Sequence, residues 1–596
     1  MQESNTQSLK IAEQEGLIRF HDDGKKIEYV GLQRKERFTD PEEIVRALYF
    51  VDLITKYKYK ADCIEFETEM PSRVPRYFAD IVVYDDSTKK KPFIVIECKK
   101  DGVSDAEFEQ ATKQAIGNAR VLKAPYTVCI AGNTRRVIET DKWNDKTPDE
   151  ATIADIPVSY GQVEEWRFRK GDPNWELKTV EKQELIRALE KSHDTLWAGG
   201  KRNPTVAFDE LCKIIFVKIR DEKHHRKNGE PYAFQIKTHE KAVDVQKRIE
   251  EIYQEAKQKD PEVFTEDIKV TEHELYAVVQ HLQELSLSGT DLDTKGVAFE
   301  KFMDDFFKGK SGQFFTPREV VKFAVKMMDV TNEDLVLDPA CGSGGFLLYA
   351  LDAIRDQANA IYGKNPEGSA QTDYYRYWHD FAEKNLYGIE INDSLARVAK
   401  MNMIIHDDGH TNVIRHDGLG SVESMQQKNP GFGLNKFDFI LTNPPFGATV
   451  KKSEHQYIAE YELGRNGNRV RENQKTEILF IERCIDFLKP GTGRMAVVLP
   501  DGILTNSSLQ YVRDFLMEKT QILAVVGLPN FAFSHYGAGV KSSVVFVRKK
   551  STSEDLGRYQ IFMAQAEHIG YDATGRQVAS NDLNEIVEAY AAFNQQ

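Results

Sequence analysis

A chain of 596 residues has room for roughly three or four domains with their own cores, and 41% hydrophobic with 29% charged residues excludes a disordered chain. A net charge of -14 excludes a surface that binds phosphate all over, so nucleic-acid contacts must come from local basic patches. There is no apolar run near the roughly 20 residues that cross a bilayer, no signal-peptide start and no metal-type spacing among six scattered cysteines, so a cytoplasmic protein with reduced thiols and no membrane contact is expected.

From about 41 to 141 the pattern predicts a small mixed α/β unit: a helix "PEEIVRALYFVDLITKY", strands "DIVVYD" and "FIVIEC", a polar helix, and a strand "YTVCIAGN". The two middle strands form a hairpin around the polar turn "DDSTKKK". If that turn is centred near 88, Asp80 lies opposite Glu97, because opposed positions in an antiparallel pair sum to a constant. Glu97 and Lys99 share a face by the two-residue period, and Cys98 points away. Two carboxylates can hold a magnesium ion, and an adjacent ammonium can orient or activate the water that attacks a phosphodiester. The alternative is a charged hairpin end facing solvent.

From about 176 to 300 the signal turns helical, with Phe208, Leu211, Ile215 and Ile219 on one face and Ala242, Val245, Ile249 and Ile252 on another. This reads as a connecting domain. Beyond about 311 the runs "LVLDPA", "LYGIEI", "FDFILTN", "MAVVLP" and "LAVVGLP" have strand length, mostly with helix-sized segments between them. They predict a doubly wound, largely parallel sheet buried on both faces.

The first of these strands runs into "PACGSGGF", where Gly342, Gly344 and Gly345 allow a tight turn and close approach to a ligand at a helix N-terminus. Glu390 ends the second strand, where a carboxylate can bind ribose hydroxyls, and Asp417 ends a third, where it could accept from an adenine amino group. Three such features at successive strand ends favour a nucleoside cofactor.

The fourth strand ends in Asn443-Pro444-Pro445-Phe446. The two prolines fix the backbone and remove donors. The Asn443 side-chain oxygen and the Pro444 carbonyl could both accept from one exocyclic amino group. An adenine amino nitrogen is a poor nucleophile because its lone pair is delocalised into the ring; two acceptors pull it toward tetrahedral geometry and free the pair to attack a methyl sulfonium. Phe446 would stack on an extruded base. The polar stretch that follows has six Lys or Arg and four Glu over 451–475, with Tyr457 and Tyr461 interleaved. It reads either as a lid over a DNA substrate or as a surface excursion.

The order "GQFFTP", "DPACGSGGF", "YGIEIN", "HDGL", "NPPFG" resembles the gamma class of S-adenosylmethionine-dependent N6-adenine DNA methyltransferases, particularly the modification subunits of type I restriction-modification systems, over about 180 to 575. The resemblance implies a Rossmann-like methyltransferase fold preceded by a helical domain. It implies a cofactor pocket of Phe314, Thr316, Pro317, Asp338, Gly342, Gly344, Glu390 and Asp417, with Asn443, Pro444, Pro445 and Phe446 as the catalytic loop. Residues 30–140 resemble the PD-(D/E)xK nuclease fold, particularly the N-terminal domain of type I restriction subunits. By that resemblance Asp80, Glu97 and Lys99 are catalytic, and Asp80, Glu97 and the helix residue Glu43 bind the metal. Gln114 is followed by Asn118 where that family often has a tyrosine.

The expected domains are a nuclease-like domain 1–175, a helical domain 176–300 and a methyltransferase domain 301–596. No target-recognition domain is evident after about 575, so the expected partners are double-stranded DNA and a separate specificity subunit in a multi-subunit complex. The rival readings are a methyltransferase whose N-terminal domain clamps DNA or a subunit without cutting, a protein-glutamine methyltransferase, and a cytosine-N4 methyltransferase.

Overall fold

The computed structural model describes residues 3–71, 77–132, 134–197, 200–259, 266–290, 294, 298–299, 316–363, 366, 368–406, 412–454, 456–534, 539–552 and 554–595. Backbone contacts divide the chain into two units, one of Met1–Asn203 with Lys213–Thr294 and one of Pro204–Cys212 with Lys295–Gln596.

The first unit is built on a five-stranded sheet whose order follows the chain: β1 (Ile64–Glu69), β2 (Phe78–Tyr84), β3 (Pro92–Lys99), β4 (Tyr126–Ala131) and β5 (Thr134–Glu139). All neighbours are antiparallel except β3 and β4. A parallel step needs a crossover, and the helix Asp105–Leu122 supplies it. That helix starts at a capping box in which the Ser104 side chain accepts from the Glu107 N–H and the Glu107 carboxylate accepts from the Ser104 N–H. The helix Pro41–Thr55 starts at Asp40, which accepts from the Glu42 N–H, and Pro41 fits the first turn. Its Val45, Phe50 and Leu53 pack with Ile81, Val83, Ile94 and Ile96 of the sheet.

The sequence pattern did not signal the three-stranded meander of Ile18–His21, Lys26–Tyr29 and Arg34–Arg37, nor β1 and β5. The helices Lys182–Trp197, Ala242–Lys259 and Glu272–Leu282 belong to this unit. Ion pairs Arg187–Asp101 and Lys191–Asp105 join the first of them to the α/β part. In the helix Pro204–Lys223, Phe208, Leu211, Ile215 and Ile219 are all buried, as their spacing predicts.

The second unit holds an eight-stranded sheet of β6 (Val336–Asp338), β7 (Leu386–Glu390), β8 (Asn412–Arg415), β9 (Phe439–Thr442), β10 (Arg494–Pro500), β11 (Thr520–Gly527), β12 (Ser542–Lys549) and β13 (Phe562–Gln565). Their order across the sheet is β8-β7-β6-β9-β10-β12-β11-β13. Successive residues alternate between two cores: Val336, Leu386, Leu441 and Val498 face one, and Leu337, Ile389, Ile440 and Val497 face the other. This two-sided burial is what continuous apolar runs require. Two strands were not singled out in the sequence: β12, which runs antiparallel between β10 and β11, and β13, which pairs parallel with β11.

Strand order reverses between β6 and β9, so the loops leaving their C-terminal ends diverge and open a crevice. Among the described residues no helix is long and apolar enough to cross a membrane, and all six cysteines are free and buried.

Close packing behind the crevice depends on Gly418, just after β8. A Cβ there would lie 2.4 Å from the Pro339 carbonyl oxygen and 3.0 Å from the Phe480 ring. Gly418→Ala is expected to lower stability by about 1 to 3 kcal/mol, read as a lower urea midpoint; an unchanged midpoint would contradict the close approach.

Candidate functional site

Three strand ends meet at the crevice. Asp338, the last residue of β6, is buried, and its Oδ1 accepts from the Thr442 hydroxyl at 2.7 Å and the Ala340 N–H at 3.0 Å. Burial pushes this carboxyl up to about 7. Gly342 adopts a left-handed φ of 54°, and a Cβ there would meet nothing within 4 Å. The turn therefore borders open space. Its Gly342 N–H donates to Glu390 Oε2 at 3.0 Å, and the Asn392 N–H donates to Glu390 Oε1 at 2.7 Å. Glu390 is buried at the end of β7, which raises its pKa. Asp417, beyond β8, accepts from the Leu419 N–H at 3.0 Å and the Tyr457 hydroxyl at 2.8 Å.

Asn443 follows directly on β9. Its Nδ2 donates to Thr316 Oγ1 at 2.9 Å, while its Oδ1 is buried and accepts no hydrogen bond from the described residues. An unpaired buried acceptor costs roughly 1 to 3 kcal/mol. Pro444 is buried beside it, and Phe446 is half-buried with its ring 6.4 Å from that of Phe533. Pro317 starts the helix Arg318–Met328. Phe314 lies outside the described residues.

The basic stretch after Phe446 is a folded insertion. Strand Thr449–Lys451 pairs with Asn473–Lys475 at its base, and Arg465–Asn466 pairs with Arg469–Val470 at its tip, around a two-residue Gly467-Asn468 turn. Gly467 has a φ of 60°, which suits the first position of a primed hairpin turn. Ile458 and Tyr461 are buried with Leu419, Val450, Leu479 and Phe480, so the segment between base and tip is anchored in the core.

The first unit holds a second polar cluster. Register pairs Ile81 with Ile96 and Val82 with Val95, the constant sum that puts Asp80 against Glu97. The Cys98 N–H donates to Asp80 Oδ2 at 2.7 Å. Glu97 is almost fully buried; its Oε1 accepts from Lys99 at 3.0 Å and from Gln114 at 3.0 Å, and its Oε2 has no partner among the described residues. Burial, then the charge of Asp80, raises the Glu97 pKa. Burial works against the Lys99 ammonium, but Glu97 outweighs it and raises the Lys99 pKa.

Glu43 meets this group through Arg46. It accepts from the Tyr29 hydroxyl and pairs with Arg46 at 3.0 Å, and the same Arg46 reaches Asp80 Oδ1 at 3.3 Å. The Arg46 guanidinium thus stands between Glu43 and Asp80. Glu42, one residue earlier, lies 3.9 Å from Lys99. Among the described residues the only three-residue group with metal-ligand geometry is His379, Asp380 and Glu383 on the helix Ser369–Lys384, and it includes none of the expected site residues.

Residues 290–596 match the family model described as N-6 DNA Methylase. The chain belongs to the N-6 DNA methylase family. Residues 41–157 of this methylase match a second model, Type I restriction enzyme R protein N terminus. It is 29% identical over 290 residues to the type I restriction enzyme EcoEI methylase subunit of Escherichia coli, covering 48% of this chain and 53% of that one. It is 28% identical over 271 residues to the type II restriction enzyme and methyltransferase RM.BcgI of Heyndrickxia coagulans, covering 44% and 35%. The methylase thus spans about half the length or less of these two curated relatives. A solved structure from a study of complex assembly and conformational transition of the type I R-M system superposes with a TM-score of 0.50 at 18% identity, over 70% of this chain and 85% of that one, a likeness of fold.

Several groups around the N-terminal cluster went unmarked in the sequence: Arg46, Tyr29 and Glu42; Tyr457 was marked, but its bond to Asp417 was not foreseen. The Glu43/Arg46 spacing was a usable signal, because residues three apart on a helix meet. Thr316 was expected toward the cofactor, and here it holds the Asn443 amide. The pKa of Glu97 is raised, and that of Glu43 is raised by burial to about 7. The folded state therefore binds these protons more tightly than the unfolded chain, whose carboxyls titrate near 4.5. Their stabilisation is present below pH 4.5 and is lost as pH rises toward 7. Glu97→Gln should flatten that decline in melting temperature; parallel profiles for the variant and the parent would contradict it.

Proposed function

We propose that this methylase is an S-adenosylmethionine-dependent adenine-N6 DNA methyltransferase, the modification subunit of a restriction-modification system that takes its sequence specificity from a separate subunit. The observation that carries this reading is the buried Asn443 Oδ1 at the end of β9, which has no partner among the described residues and lies beside Pro444 and Phe446. Thr316 accepts from Asn443 Nδ2, which leaves the amide oxygen as the unused end of the side chain. The oxygen left free is an acceptor for the amino group of a base turned out of the duplex, with the Pro444 carbonyl as its companion and Phe446 as the stacking surface. Hydrogen bonds to both amino protons localise the nitrogen lone pair, so attack precedes proton loss and no strong base is needed.

S-adenosylmethionine fits the open space beside Gly342, with Gly344 at its methionine part, Glu390 at its ribose and Asp417 at its adenine; when bound it supplies an electrophilic methyl group. Asn443→Ala is expected to abolish methyl transfer to DNA while binding of S-adenosylhomocysteine persists. Undiminished methylation would sink the role assigned to Asn443.

For the N-terminal unit we propose magnesium-dependent DNA cleavage. A magnesium ion fits Asp80 together with Glu97, whose buried Oε2 lacks a partner; when bound it supplies Lewis-acid activation at a phosphodiester. Lys99 beside Glu97 would orient the attacking water. The supporting match is the restriction-enzyme N-terminal model over residues 41–157. A second reading, a unit that holds DNA or a subunit without cutting, draws support from Arg46, which already occupies Asp80 Oδ1. Asp80→Ala and Lys99→Ala separate the two. Cleavage predicts that both variants lose magnesium-dependent nicking and keep methylation; parent protein that never cuts alongside its specificity partner favours the second reading.

A further inference from the structure

The insertion 447–476 grows from the target-base loop and returns to the far end of the cofactor crevice. At its base, the Gly447 N–H donates to Glu477 at 3.2 Å and Lys475 donates to the Gly447 carbonyl at 2.8 Å, one residue beyond Phe446. In its middle, the Tyr457 hydroxyl donates to Asp417 Oδ2 at 2.8 Å. Tyr461 and Arg483 secure the same region: the Tyr461 hydroxyl donates to the Leu419 carbonyl at 2.7 Å, and Arg483 donates to the Tyr461 hydroxyl at 2.7 Å and the Gly420 carbonyl at 3.0 Å. At the far end, Arg465 and Arg469 are exposed on the tip hairpin.

We propose that Tyr457 is a positioning residue of the cofactor site, and that through it the insertion registers whether the adenine end of that site is filled. The inference rests on the reading of Asp417 as the adenine-binding acid. Both Asp417 oxygens take one donor from the chain, Leu419 N–H on Oδ1 and Tyr457 on Oδ2. These two bonds fix the carboxylate plane and leave each oxygen a further lone pair for an adenine amino group. Burial, then the charge of Asp417, raises the Tyr457 pKa, so the phenol stays a neutral donor.

The Tyr457 ring packs on the cluster of Leu419, Ile458 and Phe480, which also touches Ala340 of the glycine turn. A ligand seated on Asp417 therefore consolidates the Tyr457 contact, and that contact holds the insertion whose base adjoins Phe446. By linkage, whatever strengthens one end strengthens the other. Cofactor occupancy and placement of the basic tip become one equilibrium.

The test uses the full chain with S-adenosylhomocysteine as probe and two readouts, its dissociation constant by calorimetry and the rate of tryptic cleavage at Arg465, Arg469 and Arg471. In the parent protein the probe should slow tip cleavage. Tyr457→Phe keeps the ring and removes the donor, so it should weaken probe binding about tenfold and abolish the protection. Tyr457→Ala additionally removes the packing and should cleave faster even without the probe. If Tyr457→Phe binds the probe and is protected like the parent, while Asp417→Ala loses binding, the role of Tyr457 is overturned and the cofactor reading stands. If Asp417→Ala binds like the parent, the adenine reading of Asp417 fails and the proposal falls with it.

Discussion

The second unit depends on one buried carboxyl. Asp338 sits where strand order reverses, and a single oxygen of it holds both the Thr442 hydroxyl of β9 and the Ala340 amide of the glycine turn. Burying a carboxyl is costly unless its hydrogen bonds are made or its charge is removed. Here two donors reach it, and burial outweighs them and raises its pKa to about 7. From this point the crevice is assembled outward. The turn presents Gly342 to Glu390 on one side, and Thr442 fixes the start of the Asn443 loop on the other. The glycine turn and the Asn443 loop are thereby locked to each other, as the proposed transfer between two bound molecules requires.

The N-terminal cluster follows a different electrostatic logic. Asp80, Glu97, Glu43 and Glu67 lie within reach of only a few cations, and Arg46 alone contacts three of them: Glu43, Glu67 and Asp80. Glu97 answers by favouring its proton, and burial favours the Glu43 proton against the pull of Arg46 and of the Tyr29 hydroxyl, which donates to the carboxylate. The cluster holds two buried acids, Glu43 and Glu97, beside the less buried Asp80 and the exposed Glu67, and arginine, lysine and protons together neutralise them. That arrangement suits a site whose charge balance changes when a cation or a phosphate arrives.

Much of this was legible in the sequence because it depends on local pattern. The runs at β6, β7, β9, β10 and β11 are apolar because both faces of the sheet are covered. The Asp80 register followed from the length of a single turn, and the Asn443 loop from two prolines. What stayed hidden depends on contacts distant in sequence. The run Ser542–Lys549 is as apolar as its neighbours, but apolarity carries no direction, so its antiparallel course could not be read. Arg46 three residues after Glu43 looks like a surface pair until the meander carrying Tyr29 buries it. The insertion's six Lys or Arg suggested a solvated excursion as readily as a lid; the anchoring of Tyr457 and Tyr461 on residues 417–420 lies about 40 positions away, beyond any helical or strand period.

The central claim is that the free oxygen of Asn443 receives the amino group of adenine in DNA. The most direct measurement is to purify the chain with the subunit that accompanies it, supply S-adenosylmethionine labelled in its methyl group together with duplex DNA, and digest the product to nucleosides. The account predicts that the label is recovered as N6-methyladenine. Label recovered as N4-methylcytosine, or in protein glutamine with none in DNA, would contradict it.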